Sequence, residues 1–104
     1  REAEQIAAIL RRHEVRATLF IANERTFRGD RQLEPSWAPF WQARAAEGHE
    51  FASHTWRHWY FRGDQGAGRT SYASRQGEGS EVLDAPSLCA ELMRPLEALR
   101  AMVP

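Results

Sequence analysis

Hydrophobic positions at helical spacing mark the start of the chain. In residues 2–12 the apolar side chains recur three and four positions apart, with acidic residues near the start and arginines near the end. This pattern predicts an amphipathic helix whose charges suit the helix macrodipole. Residues 16–22 differ, because Thr18-Leu19-Phe20-Ile21 is too continuously apolar for a strand that is wetted on one face. We predict a buried strand there.

The middle of the chain repeats this alternation of helix and strand. Ser36 can cap a second helix and Gly48 can end it. Residues 49–55 follow as a second short strand. The order helix, strand, helix, strand predicts an α/β fold in which helices cover a sheet of parallel strands. The apolar positions of the second helix are Trp37, Phe40, Trp41 and Ala45.

The C-terminal segment carries an apolar stripe at helical spacing. Asp84 or Ser87 can cap this last helix, and Pro95 lies inside the pattern. Because proline removes a backbone donor and clashes with the preceding turn, we expect it to kink or split the helix. The stripe consists of Leu88, Leu92, Leu96, Leu99 and Val103.

Residues 62–81 are rich in Gly, Ser, Arg and Gln and hold few large apolar residues. We predict a long surface loop or an insertion here. Within this segment, Gly63 to Thr70 fits the spacing of a phosphate loop, with Arg69 in place of lysine, so nucleotide binding is one alternative function. Such a loop needs a helix N-terminus after it, and the residues that follow Thr70 lack an apolar helical face. A surface loop is therefore the favoured interpretation.

The composition limits the classes of partner. A chain of 104 residues is one small domain or part of one. Fourteen arginines, with no lysine, balance fourteen acidic residues, so nothing in the net charge favours nucleic acid as a partner. No apolar run approaches the ~20 residues of a membrane span. Cys89 is the single cysteine, which excludes an intramolecular disulfide and a cysteine-rich zinc module.

His54 and His58 are the candidate metal ligands. On a continuous strand residues four apart would have Cα atoms roughly 13 Å apart, too far to share an ion. If the chain curls after His54, both imidazoles can reach a divalent metal. A hydrolytic zinc site has three protein ligands, and no third ligand stands at motif spacing, so two histidines that hydrogen-bond within a loop are the plainer alternative. The end of a strand in an α/β sheet is, however, where such folds place their sites.

The residues around this pair resemble the polysaccharide deacetylases with a NodB homology domain, carbohydrate esterase family 4. Ala17-Thr18-Leu19-Phe20-Ile21 is similar to the second strand of that family. Gly48-His49-Glu50 precedes His54-Thr55-Trp56-Arg57-His58, which matches the family's His-Ser/Thr-x-x-His metal motif. The resemblance covers most of residues 2–58 and, more loosely, 86–101, but it does not cover the segment 62–81.

The resemblance implies a distorted (β/α) barrel, of which residues 1–104 would form the front part as a single partial domain. It implies that His54 and His58 bind a divalent metal, usually zinc, and that Thr55 supports the motif loop through a hydrogen bond. The implied activity is a metal-dependent hydrolysis that removes acetyl groups from N- or O-acetylated carbohydrate. A non-catalytic carbohydrate-binding or scaffold domain of the same fold is the alternative.

The family's other catalytic groups are expected outside this stretch of sequence. Its paired aspartates, which act as base and third metal ligand, belong on a strand before the first helix. Its Arg-Pro motif and later catalytic histidine belong beyond Pro104, and Arg94-Pro95 lies inside a helical stripe instead of at a strand end. We therefore expect the chain to be a fragment that does not catalyse alone. The aromatic residues near the second histidine, which can stack on sugar rings or pack as core, are Trp56, Trp59, Tyr60 and Phe61.

Overall fold

The computed structural model describes residues 1–74 and 79–104. Two helices and two parallel strands alternate in the first half, and a three-stranded antiparallel sheet with a long helix forms the second half. In chain order the elements are α1 (Glu2–Arg12), β1 (Thr18–Ile21), a 3₁₀ turn (Pro35–Trp37), α2 (Ala38–Ala46), β2 (Glu50–Ser53), β3 (Tyr60–Gly66), β4 (Arg69–Ala73), β5 (Ser80–Asp84) and α3 (Ala85–Met102).

Strands β1 and β2 pair in parallel, as the order of the elements predicted. The register runs from Thr18 opposite Glu50 to Ile21 opposite Ser53, so both strands end at the same edge. The structure is thus a mixed α/β fold with a small parallel sheet and covering helices. The described residues close no barrel, since this parallel sheet has two strands.

The expectation that β1 is buried on both faces is wrong. Ile21 is buried and Leu19 packs against the core, whereas Phe20 on the opposite face is 64% exposed. Side chains alternate between the two faces of a strand, so a core on one face leaves every second residue in water. The apolar run hid this alternation, because Phe20 is hydrophobic although it lies outside the core.

The hydrophobic core lies where α2 and α3 pack against β1 and β2. Trp41 is at its centre, with its ring edge-on to Phe40 at 4.9 Å and to Phe51 at 5.9 Å between centroids. Its indole Nε1 donates to the backbone oxygen of Gln32 at 2.7 Å, which satisfies the one polar atom that the ring buries. The buried members of the cluster are Ile21, Leu33, Trp37, Trp41, Leu99 and Met102.

Ser36 does not cap α2 as the sequence predicted. It lies inside the 3₁₀ turn, and its hydroxyl donates to Asp30 Oδ2 at 2.6 Å. Asp30 also accepts hydrogen bonds from Thr26 Oγ1 and, at 2.8 Å, from Trp37 Nε1. One carboxylate therefore joins the turn over residues 26–30 to the start of α2, and Ser36 serves that carboxylate instead of the helix end.

The carboxylate of Asp30 should make folding sensitive to acid. Hydrogen bonds from Ser36, Thr26 and Trp37 lower the pKa of Asp30 from 3.8 to about 2. The ionised Asp30 carboxylate therefore stabilises the fold above pH 4, and this stabilisation is lost as the pH falls from about 4 towards 2. We expect Asp30→Asn to destabilise the chain at pH 6 and to differ less from the wild type at pH 2.5, measured by urea unfolding.

The variant Ser36→Ala refines this test, because it removes the donor with the largest influence on Asp30. The pKa of Asp30 should then lie nearer its ordinary value, so the stability difference between the wild type and this variant should be largest above pH 4 and should shrink as the pH falls from 4 towards 2. A stability difference between wild type and Asp30→Asn that is constant from pH 6 to pH 2.5 would contradict this role.

The described part of residues 62–81 is not a loop, which corrects the sequence prediction. Strands β3, β4 and β5 form an antiparallel sheet through most of it, and residues 75–78 lie outside the described residues. The turn between β3 and β4 holds Gly66 at φ 76°, Ala67 at 51° and Gly68 at 72°, the left-handed conformations that hairpin turns require. The interpretation of this segment as an insertion stays a prediction.

Helix α3 begins as predicted and continues through its proline. The Asp84 side chain accepts from the backbone N–H of Ser87 at 2.9 Å, and hydrogen bonds from the Ser87 side chain and from this N–H hold the pKa of Asp84 below its usual value. Pro95 is fully buried inside a helix that runs unbroken from Ala85 to Met102, so the expected split does not occur. No helix among the described residues is long and apolar enough to cross a membrane.

Candidate metal centre

The candidate site lies at the edge of the parallel sheet where β1 and β2 end. His54 follows β2 directly, and its backbone N–H donates to the oxygen of Ile21 at 2.9 Å, which extends the ladder by one bond. Two residues on, the backbone oxygen of Trp56 accepts from Asn23 N at 2.9 Å. These bonds fasten the segment after β2 to the segment after β1, at the edge where parallel sheets place their sites.

The chain curls after β2 because two residues adopt left-handed backbone angles. Thr55 has φ 62° and His58 has φ 54°. A β-branched residue is a rare outlier in this region, and such outliers cluster at functional sites. The Thr55 hydroxyl oxygen accepts from Trp59 N at 3.1 Å, and Thr55 N donates to Ser53 Oγ at 3.2 Å. Thr55 thus spans the motif loop and contacts both of its ends.

The curl brings the two predicted histidines together. The ring centroids of His54 and His58 are 4.2 Å apart with 51° between the ring planes, and the Tyr60 ring lies 5.4 Å from that of His58. His54 is exposed and His58 is half-buried, so the pair opens to solvent. Glu24 contacts Nδ1 of His58 from the segment that follows β1.

Arg57, between the two histidines, ties the motif loop to the second half of the chain. Its backbone N–H and its Nε both donate to Glu91 Oε1 at 3.2 Å, and its Nη2 donates to Glu81 Oε2 at 2.6 Å. Its guanidinium also lies 3.8 Å from the centre of the Trp59 ring. Partial burial opposes the charge, but the hydrogen bonds to the two carboxylates outweigh it and raise the pKa of Arg57.

The aromatic residues near the second histidine divide between exposed positions and positions packed against the core. Trp56 packs against the core and carries the guanidinium of Arg94 at 4.0 Å over its ring. Phe61 is 60% exposed, with its ring 5.8 Å from that of Tyr72 on the next strand. Phe61 and Tyr72 therefore contact each other on the antiparallel sheet, whereas Trp56 joins the segment after β2 to the core.

His49 is a structural histidine that holds the start of β2. Its Nδ1 accepts from the backbone N–H of Ala17 at 3.0 Å, and its side chain is 1% exposed. Its Nε2 lies 3.4 Å from Glu47 Oε2. Hydrogen bonds from Arg44 hold the pKa of Glu47 below its usual range, so this carboxylate stays ionised beside the ring.

The phosphate-loop interpretation of Gly63 to Thr70 is wrong. These residues form the end of β3, a tight turn and the start of β4. A phosphate loop needs a helix N-terminus directly after it, so that backbone N–H groups face the anion. Here a strand, β4, follows the turn, and it pairs with β3 and β5 in the sheet.

The donor chemistry of the histidine pair fits part of a zinc site. Imidazole nitrogens are common zinc ligands, and two rings this close at a strand edge can share one ion. In residues 1–74 and 79–104, however, no group of three or more His, Cys, Asp or Glu side chains is arranged to hold a metal. Glu24 contacts His58 and was not among the residues predicted from the sequence. Its position three residues after β1, at the edge that both strands share, was the signal that could have identified it.

Fold and geometry together describe an α/β protein in which two histidine rings lie close together at the carboxyl edge of a parallel sheet. The sequence model of the family described as "Polysaccharide deacetylase" matches residues 2–93. The chain therefore belongs to the polysaccharide deacetylase family. Comparison with curated proteins and comparison with solved structures gave no match.

Proposed function

We propose that this chain carries the metal-binding half of a carbohydrate deacetylase, a hydrolase that releases acetate from N- or O-acetylated sugars. The observation that carries the proposal is the pair of His54 and His58 rings, 4.2 Å apart at the edge where β1 and β2 end, in a member of a deacetylase family. The same resemblance supports the NodB-type barrel as the complete fold and a carbohydrate as the substrate.

His54 and His58 would hold the ion, with zinc the divalent metal that best suits imidazole ligands in a hydrolase. When bound, such an ion supplies Lewis acidity towards the acetyl carbonyl and makes water a nucleophile at neutral pH. Thr55 keeps the loop between the two ligands closed through its contact with Trp59. Arg57 holds the same loop against α3 and β5 through Glu91 and Glu81.

Hydrolysis also needs a base and a third ligand, and the two histidines do not supply them. In the family these roles fall to the paired aspartates of a strand that precedes the histidine motif. A carboxylate within hydrogen-bond reach of the attacking water can take a proton from that water as its oxygen bonds to the carbonyl carbon of the acetyl group. The products of an N-acetylated substrate are then a free amine and acetate.

The test is acetate release from an N-acetylated sugar oligomer by the full-length protein. We expect His54→Ala to lower the rate at least about 100-fold, the lower range of what acid–base or metal-linked groups contribute. His13→Ala is the matched control, because His13 is an exposed histidine at the end of α1. The control should release acetate at the wild-type rate. Equal rates for His54→Ala and the wild type would contradict the deacetylase proposal.

A non-catalytic carbohydrate-binding domain of the same fold is the second candidate. It is favoured by the exposed Phe61 beside Tyr72 and by the absence of a three-ligand group in the part of the chain that the structure describes. Under this alternative the full-length protein binds the oligomer, Phe61→Ala weakens that binding, and no acetate appears. Acetate release that depends on His54 excludes it.

A further inference from the structure

The contact between Glu24 and His58 joins two segments that are 34 positions apart in the sequence. Glu24 Oε1 lies against Nδ1 of the His58 ring, although neither residue belongs to a strand or helix. An ionised carboxylate has only acceptor atoms, so the ring nitrogen that faces it must carry the proton. When Nδ1 carries the proton of a neutral imidazole, the lone pair left for a metal is on Nε2.

The backbone around Glu24 is fixed on both sides. Asn23 N donates to Trp56 O at 2.9 Å, and Gln32 N donates to the oxygen of Glu24 at 2.9 Å. The side chain of Asn23 accepts from Leu33 N at 3.1 Å, which fastens the same segment to the core. The backbone position from which Glu24 contacts His58 is therefore fixed by these hydrogen bonds.

The ring of His58 is held on its other sides as well. His54 lies 4.2 Å away and Tyr60 lies 5.4 Å away, measured between ring centroids. His58 has a left-handed backbone, with φ 54°, and its ring contacts Glu24 in the segment that follows β1. Ring packing limits where the imidazole lies, and the carboxylate determines which nitrogen it presents.

We propose that Glu24 is a positioning residue of the metal centre, which holds His58 through Nδ1 and so presents Nε2 of that ring to the ion. Histidines that ligate metals generally donate their second ring N–H to a carboxylate, a carbonyl or water, and this partner sets both tautomer and orientation. Glu24 supplies that partner. The inference rests on the proposed function, which makes His58 a ligand.

The first measurement uses the metal-free full-length protein and therefore does not depend on metal binding. Long-range ¹H–¹⁵N spectra of the neutral imidazoles should show His58 protonated at Nδ1. Glu24→Gln keeps a carbonyl oxygen that can accept from Nδ1 and should keep this tautomer. Glu24→Ala should shift His58 towards the Nε2–H form. A wild-type protein with His58 protonated at Nε2, or no shift in Glu24→Ala, would overturn the proposal.

The second measurement is zinc affinity of the same proteins, determined by competition with a chromophoric chelator. Loss of the carboxylate in Glu24→Ala should weaken zinc binding by about 10–100-fold, with Glu24→Gln between this variant and the wild type. Glu34→Gln, an exposed glutamate on the same connection, is the control and should bind as the wild type does. Amide spectra of each variant report whether the fold is retained.

The two measurements separate failure of the positioning role from failure of the metal centre. If Glu24→Gln keeps the Nδ1–H tautomer but binds zinc as weakly as Glu24→Ala, Glu24 is itself a ligand and the positioning role is wrong. If His58→Ala binds zinc as tightly as the wild type, the proposed metal centre is wrong, whatever the tautomer of His58.

Discussion

Replacing either histidine of the motif with alanine should abolish tight zinc binding. In the proposed centre each of His54 and His58 supplies one of about three protein ligands, so a protein that lacks either of them should hold the ion too weakly to compete with water and chelators. Loss of a supporting residue alone costs about 10–100-fold in affinity. We expect His54→Ala and His58→Ala to cost more than the upper end of that range, measured by chelator competition on the full-length protein.

The control for this prediction is His13→Ala. His13 ends α1 and is exposed, so its removal changes the histidine content without changing the motif. Its zinc affinity should equal that of the wild type. If one motif variant loses zinc and the other does not, the ligand assignment is wrong for the residue whose replacement has no effect. If both variants bind zinc with wild-type affinity, the proposed metal centre is wrong.

The largest effect on stability should come from Trp41→Ala. The Trp41 side chain is 5% exposed, contacts Phe40 and Phe51 edge-on, and donates to Gln32 O. Deleting it leaves a cavity and removes a hydrogen bond, and such changes cost about 3–5 kcal/mol in the free energy of unfolding. A domain is stable by only about 5–15 kcal/mol, so much of that stability is lost. Urea unfolding measures the loss.

A second variant separates packing from hydrogen bonding at Trp41, and a variant at an exposed position is the control. Trp41→Phe keeps most of the apolar contact but leaves Gln32 O without its donor, and should cost about 1–3 kcal/mol. Val82→Ala, at a side chain that is 51% exposed, should lie within about 0.5 kcal/mol of the wild type. A cost below about 1 kcal/mol for Trp41→Ala would show that the core is not organised around this ring.

The elements that the sequence predicted correctly are those fixed by local patterns. The helix over residues 2–12 follows from one apolar stripe, and the start of α3 follows from Asp84 as its cap. The parallel pairing of β1 and β2 follows from the helix between them. For the two helices, neighbours within a few positions determine the outcome, and for the strand pair the order of the elements determines it; both are visible in the sequence.

The sheet of β3, β4 and β5 was not predictable in the same way. Its strands contain Gly, Ser and Asp, which as individual residues favour turns, and they become strands through pairing with one another. Strand propensity depends strongly on such cross-strand partners, which a local pattern does not contain. A long polar segment with few large side chains therefore resembled a loop.

In the candidate site, too, the local features were predictable from the sequence and the long-range contact was not. The spacing of His54 and His58 identified the pair, and elementary geometry required the curl that Thr55 and His58 provide through left-handed backbone angles. Glu24 was missed because no spacing rule relates it to a residue 34 positions away. It reaches His58 only through the register of β1 on β2, which brings both strand ends to one edge.

The most direct test of the metal centre is a crystal structure of the full-length protein with zinc, recorded on both sides of the zinc absorption edge. We expect an anomalous peak at about 2.0–2.1 Å from one ring nitrogen each of His54 and His58. A zinc peak elsewhere, or none between these two rings while zinc is bound in solution, would contradict the proposed centre.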